Sequence, residues 1–457
     1  MNLQGDNKKR AWSRLDNAAK IFPPSNMGTN TCVFRFSCEL TEEIDPALLQ
    51  QAVDKAVLKF PAYLVIMKSG AFWYYFEQTD LRPQVVPESR TVCGSLYENG
   101  SRNLLFEVSY YKTRINLEMF HALTDGTGAV SFLKTIVYHY LLLAHPDDFG
   151  DTPPVLPDDG SEAGRQSDSF RKYYKKVHTR RKKKNEPRAF NVKAEHSDRD
   201  GLQIIEGAAP VHAVLDAAHS FGTTMTVFLT AVFIEALRSE MPTSAVRRPV
   251  VLGVPVNLRT YFPSDTARNF FGMIDVSYNF SKRNGKFGDI VSEVDKGFKE
   301  ELTREKLEIR MNNLAALEHN LAVQLAPLPL KNFVLRIAKL LSDRAETAVI
   351  SNVGRAVMPK EMMRYIRLFS AFASTLKLQL TLVSCGDTLS LGFTSAFAST
   401  EIQKNFFRRL TEAGIPVEIR CNEYYAEPEE NGSSAAPSAP KDTPEKSRKG
   451  DASHAAM

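Results

Sequence analysis

Polar and apolar residues alternate with a period of two over residues 31–40, where Cys32, Phe34, Phe36, Cys38 and Leu40 share one face. The period then changes to helical spacing over 46–60, through Leu48, Leu49, Ala52, Val53, Ala56 and Val57, and Pro61 stops it. Short extended patterns follow at 63–67, 72–76 and 104–110. A strand over 114–121 places Ile115, Leu117, Met119 and His121 on one face and Asn116, Glu118 and Phe120 on the other. A helix is expected from about 128 to 144. Later in the chain the spacing predicts helices at 211–220 and 226–238, a strand at 249–256 and further helices within 287–325. Leu376, Leu378, Leu380 and Leu382 alternate with polar residues, Cys385-Gly386-Asp387 supplies a turn, and Leu389, Leu391 and Phe393 alternate on the return. A helix at 401–413 and a strand at 417–420 close the pattern, so the fold class is α/β, with mixed sheets flanked by helices.

The 457 residues exceed the usual size of one core, and the pattern divides accordingly. A first α/β half covers 1–150. A Pro/Asp-rich and then basic crossover covers 151–200, a second half covers 201–426, and a tail of Pro, Glu, Ser, Ala and Lys, 427–457, is expected to be disordered because it has too little apolar surface to offset ordering entropy. No run reaches the ~18 apolar residues of a membrane span, and the most apolar stretch, 136–144, is interrupted by Tyr138, His139 and Tyr140 and reads as a buried helix. The first twelve residues show no export signal. The net charge of +5 is concentrated in 171–188, where ten of eighteen residues are Lys or Arg. That run is either a solvated linker or a patch for phosphate or a membrane surface, and with Tyr173 and Tyr174 as its only rings it does not suggest nucleic acid. Cys32, Cys38, Cys93, Cys385 and Cys421 contain no CxxC pair, which points away from zinc and disulfides and toward a reducing, cytoplasmic setting.

The most informative stretch is His121-Ala122-Leu123-Thr124-Asp125-Gly126, at the end of a strand and just before a helix. A histidine on the apolar face is either a packed core residue or a base. Burial favours the neutral, proton-accepting imidazole that deprotonating a hydroxyl requires. Gly126 and Gly128 would give the strand-to-helix turn room for a close approach.

The spacing His121-x-x-x-Asp125-Gly126 resembles the signature of the coenzyme A-dependent acyltransferase superfamily, which includes chloramphenicol acetyltransferase, plant acyltransferases, condensation domains and microbial alcohol acetyltransferases. Gly253-Val254-Pro255-Val256-Asn257-Leu258-Arg259, followed by Asn269-Phe270-Phe271-Gly272, is similar to a strand and turn of condensation-type members. Ser351-Asn352-Val353-Gly354 is similar to a late strand-end motif, and Trp12-Ser13-Arg14-Leu15-Asp16 resembles the opening of the alcohol acetyltransferase branch.

The resemblance spans about residues 10–425 and implies two chloramphenicol acetyltransferase-like halves with a tunnel between them. It implies His121 as general base. Asp125 would support the His121 loop by pairing with an arginine of the other half, for which Arg259 is the candidate, and Gly126 completes the motif. Asn257, Asn352 and Thr381 are candidate oxyanion stabilisers with no choice among them, and 269–272 is read as architectural. The implied reaction is O-acyl transfer to a small-molecule alcohol (or amine), with acyl-CoA as co-substrate, no permanently bound cofactor and no metal. The protein is expected to be a monomer without nucleic-acid partners, with 171–188 available for peripheral membrane contact or for the coenzyme A 3′-phosphate. Two alternatives are condensation-type N- or O-acyl transfer from a carrier-bound donor and a noncatalytic ligand-binding relative.

Overall fold

The structure is a computed structural model and describes residues 11–89, 91–150, 152–157, 169–175, 188–196, 201–316 and 321–422. The expected tail and most of the basic run lie outside the described residues. In the first part of the chain the strands are β1 (Trp12–Arg14), β2 (Val33–Leu40), β3 (Val65–Ser69), β4 (Tyr74–Gln78), β5 (Val85–Pro87), β6 (Phe106–Tyr111) and β7 (Arg114–Phe120). Then come β8 (Gln203–Pro210), β9 (Val250–Asn257), β10 (Phe271–Tyr278), β11 (Ala348–Arg355), β12 (Ile366–Ala373), β13 (Leu378–Cys385), β14 (Thr388–Ser395) and β15 (Glu418–Cys421). They form a five-stranded sheet in the order β12-β2-β7-β6-β5, a seven-stranded sheet in the order β10-β9-β11-β13-β14-β8-β15, and a three-stranded sheet, β1-β4-β3.

Helices α1 (Phe22–Ser25), α2 (Pro46–Val57) and α3 (Gly126–Ala144) belong to the first part. Asp45 starts α2 by accepting from the main-chain N–H groups of Ala47 and Leu48 at 2.7 and 3.1 Å, with Pro46 at the first helical position. Leu49, Ala52, Val53, Ala56 and Val57 are its buried stripe, which packs on α3. α3 is long and apolar enough to cross a membrane by length and composition only, and 61% of its apolar window is buried inside the protein, in keeping with the buried helix expected at 136–144. It is the core helix of the first half.

One apolar cluster surrounds the five-stranded sheet with α2 and α3, and a second surrounds the seven-stranded sheet. The edge strand β12 of the first sheet comes from the end of the chain: Phe369 pairs with Cys38 and Ala371 with Phe36. The pattern did not predict this strand, because Ile-Arg-Leu-Phe-Ser-Ala-Phe-Ala does not alternate. Both its faces are buried instead. On β14, a Cβ at Gly392 would lie 2.4 Å from the Ala371 carbonyl oxygen, so the close approach of β14 to β12 requires a residue without a side chain.

Both faces of β7 are also buried. Ile115, Leu117 and Met119 fill the apolar side. Behind them, Arg35 Nε donates to Glu118 at 2.9 Å and its guanidinium pairs with Glu88. Ser37 Oγ donates to Asn116 Oδ1 at 2.7 Å, and Cys93 N donates to Glu118 at 2.7 Å. The polar face is satisfied internally rather than by water.

Candidate active site

His121 follows the last residue of β7, and its main-chain N–H donates to Cys32 O at 2.8 Å. The ring lies among aromatics: Phe22 of α1 stacks on it at 4.1 Å, Phe34 of β2 meets it edge-on at 5.0 Å, and Phe271 of β10 is tilted against it at 5.5 Å. Burial pushes the imidazole below its ordinary range, against the opposing pull of its own main chain, the Asp125 charge, Asn269 and the Thr124 main chain. Neutral imidazole is therefore the favoured form.

Asn269 fixes which nitrogen carries the proton. Its Nδ2 donates to His121 O at 3.0 Å and to Asp16 at 3.3 Å, both of them acceptors, and this turns Oδ1 toward the ring, 3.2 Å from His121 Nδ1. Nδ1 is then the donor, and Nε2 keeps the lone pair. Asp16 is itself buried and accepts from Ala19 N at 2.7 Å. Asn269 lies in the turn expected to be architectural and Asp16 in the opening motif. Their types are those of hydrogen-bonding residues, but no spacing reveals that they meet.

Asp125 and Arg259 come together as expected. Arg259 Nη1 donates to Asp125 Oδ2 at 2.8 Å and Nη2 to Oδ1 at 3.3 Å, a bidentate pair between the start of α3 and the end of β9. The same carboxylate accepts from Gly128 N at 3.2 Å, as the cap of α3, and from Phe270 N at 2.8 Å. With both oxygens bonded twice, Asp125 is an organiser rather than a proton carrier. Arg259 also donates from Nη2 to Thr266 O and Arg268 O, at 2.9 and 2.6 Å, and from Nη1 to Asn257 Oδ1 at 3.3 Å and Phe270 O at 3.4 Å. Tyr63 and Thr124 both hydrogen-bond Ala267 O. The 266–270 loop that carries Asn269 is thus anchored along its length.

The two glycines differ. A Cβ on Gly128 would lie 2.2 Å from Thr124 Oγ1 and 2.4 Å from Ala267 O, whereas one on Gly126 would make only ordinary contact, 3.5 Å from Phe36 and 3.8 Å from Val353. The close approach expected of both is thus corrected for Gly126, because the 266–270 loop crosses the helix at 128.

Asn257 and Asn352 flank the start of α3. Asn257 Nδ2 donates to Thr127 Oγ1 at 3.2 Å, and Asn352 lies beside Val353, which contacts the Gly126 position, while its Nδ2 donates to Thr226 Oγ1 at 2.8 Å. Thr381 is buried in β13 and accepts from Gln379 Nε2 at 3.5 Å. None of the three is a hydrogen-bond partner of the His121 ring, whose partner is Asn269. One cavity, of about 1020 Å³, is lined by Trp12, Lys20, Trp73, Tyr75, Arg171 and Gln324 among others, and a smaller one of about 250 Å³ by Tyr63, Leu123 and Arg268 among others. His121 is not among the lining residues of either. Among the described residues no cluster of His, Cys, Asp or Glu has metal-binding geometry.

No protein-family model matches the chain, and no curated protein is similar to it in sequence. Solved structures are similar in fold. The first condensation domain of the calcium-dependent antibiotic synthetase, solved with a substrate analogue, aligns over 88% of this chain and 96% of its own, with a TM-score of 0.58 and 15% identity. The TRI3 trichothecene 15-O-acetyltransferase from Fusarium sporotrichioides aligns over 90% and 97%, with a TM-score of 0.56 and 11% identity. The starter condensation domain of rhizomide synthetase, a mutant in complex with C8-CoA, aligns over 88% and 95%, with a TM-score of 0.56 and 12% identity. The chain therefore has the two-halved fold of these acyltransferase and condensation domains.

Proposed function

We propose that the protein is an acyl-CoA-dependent O-acyltransferase with His121 as general base. The observation that carries this reading is the state of the imidazole, held neutral by burial, with Asn269 on Nδ1 and the lone pair on Nε2. Nε2 takes the proton of an acceptor hydroxyl as its oxygen attacks the thioester carbonyl. The tetrahedral oxyanion collapses, the carbon–sulfur bond breaks, and the imidazolium returns the proton to the leaving thiolate. The sequence uses neither a covalent enzyme intermediate nor a resident cofactor. The C8-CoA held by one neighbour of the same fold favours a coenzyme A thioester as donor, and the acetyltransferase neighbour favours a hydroxyl acceptor.

The test is release of free coenzyme A from acetyl-CoA and longer acyl-CoAs across a panel of alcohols and amines. Acceptor-dependent release is expected, and His121→Ala should reduce it by about 10²–10⁴-fold, the contribution of a positioned base. Turnover unchanged in His121→Ala overturns the role of the imidazole. Transfer from acyl-carrier thioesters alone would assign a condensation-type donor instead.

A further inference from the structure

The helix Leu328–Asp343 carries its polarity inside out. At about 100° per residue, Leu330, Phe333, Val334, Ile337, Leu340 and Leu341 fall in one sector of its surface. These six side chains are 42–62% exposed. The side that meets the protein is fastened by polar groups. Lys331 Nζ donates to Phe72 O at 2.8 Å, Asn332 Nδ2 to Tyr74 OH at 2.8 Å, and Arg336 Nε to Pro24 O at 2.9 Å, while Lys339 pairs with Asp343. A surface helix of a globular protein turns its apolar stripe inward. Here the stripe runs about 16 Å along the outside, from eleven steps of about 1.5 Å each.

Charge selects what covers it. Over residues 328–344 Lys331 is buried and Lys339 is paired with the one acid, Asp343, so the exposed cations that border the stripe are Arg336 and Arg344. A symmetric pair of chains would set this face against itself, with no acid of the helix left to meet the two arginines. An anionic lipid surface supplies the opposite charge together with an apolar layer. The neighbouring surface is aromatic: the buried Lys331 lies 3.6 Å over the Trp73 ring, Trp12 lines one cavity with Trp73, and both Phe72 and Trp12 are exposed. The stripe is too short and too one-sided to span a bilayer.

We propose that this helix, with Phe72 and Trp12 beside it, is the face by which the protein lies on an anionic lipid surface. Arg336 joins the helix to Pro24 of α1, and Phe22 of the same short helix stacks on His121, so the docked surface lies one helix away from the imidazole. The inference does not depend on the acyl-transfer reading, because its readout is binding.

The test is flotation of the full chain with vesicles of phosphatidylcholine alone and with about 30% phosphatidylserine. The wild type should float with the anionic vesicles. Phe333→Ser, Ile337→Ser and Leu341→Ser together should lower binding at least tenfold with unchanged melting, since three apolar contacts exceed the free energy of one decade. Arg344→Glu should weaken the preference for phosphatidylserine. Binding retained in the triple variant, whose basic 171–188 run is intact, overturns the proposal, as does a wild type that stays in solution with both vesicles. A dimer that the triple variant dissociates also overturns it and assigns the face to a second copy.

Discussion

At the scale of single residues, the site turns on one proton. Because burial lowers the His121 pKa from the ordinary 6.5, the neutral base persists below the pH at which a free imidazole would charge. The acid limb of kcat/KM should therefore have its midpoint below 6.5, with activity rising as pH increases through that midpoint and level through neutrality. A midpoint at or above 6.5, measured on acyl transfer, would contradict the burial seen here. Asn269→Ala removes the acceptor that holds the proton on Nδ1. It should lower kcat by about 10–100-fold, as loss of ring positioning does, with KM little changed. Asn269→Asp should keep the ring hydrogen bond but lose the donor to His121 O and raise the pKa of the acid limb, since a carboxylate stabilises the imidazolium.

At the scale of elements, the strand-to-helix connection of β7 and α3 was legible because both periods are strong and meet at a histidine motif. The pairing of Asp125 with Arg259 was legible only through family resemblance, since 134 residues separate them. Asn269 was not legible at all, because its role comes from a loop anchored by Arg259, Tyr63 and Thr124, and tertiary contacts leave no period. The helix Leu328–Asp343 carries as clear a helical period in the sequence, and only the outward direction of its apolar face is invisible there, because a periodic stripe does not say which side it meets. The two glycines at the start of α3 test the local geometry. Gly128→Ala forces a methyl into the Ala267 carbonyl and should destabilise by about 1–3 kcal/mol or more, with loss of activity as the 266–270 loop shifts. Gly126→Ala meets no such contact and should be neutral or stabilise by up to about 1 kcal/mol, as measured by urea unfolding.

At the scale of the whole molecule, the two halves share more than a boundary. β12 leaves the second half of the chain to complete the first half's sheet, and His121 depends on Asn269 from beyond β9. At the other end of β7, about 23 Å from His121 at ~3.3 Å per residue, a buried ion network joins the sheets. Arg114 Nη2 meets Glu39 of β2 at 2.6 Å and Glu206 of β8 at 2.8 Å, and Arg420 of β15 meets Glu39 at 2.8 Å. Burial alone would raise the Glu39 pKa, but hydrogen bonds from Arg420 and Arg114 bring it below the ordinary 4.5. A carboxylate whose folded pKa is depressed stabilises fully above its unfolded value, and that stabilisation is lost as pH falls through the folded value. Glu39→Ala should therefore cost about 1–3 kcal/mol at neutral pH, because Arg114 and Arg420 lose the acid between them while keeping Glu206 and Glu418. On acidification below 4.5 the wild type should lose stability toward the variant and the gap should narrow. Urea unfolding of both proteins from neutral pH into the acid range measures this, and a gap that stays constant with pH would mean that Glu39 contributes by packing rather than by charge.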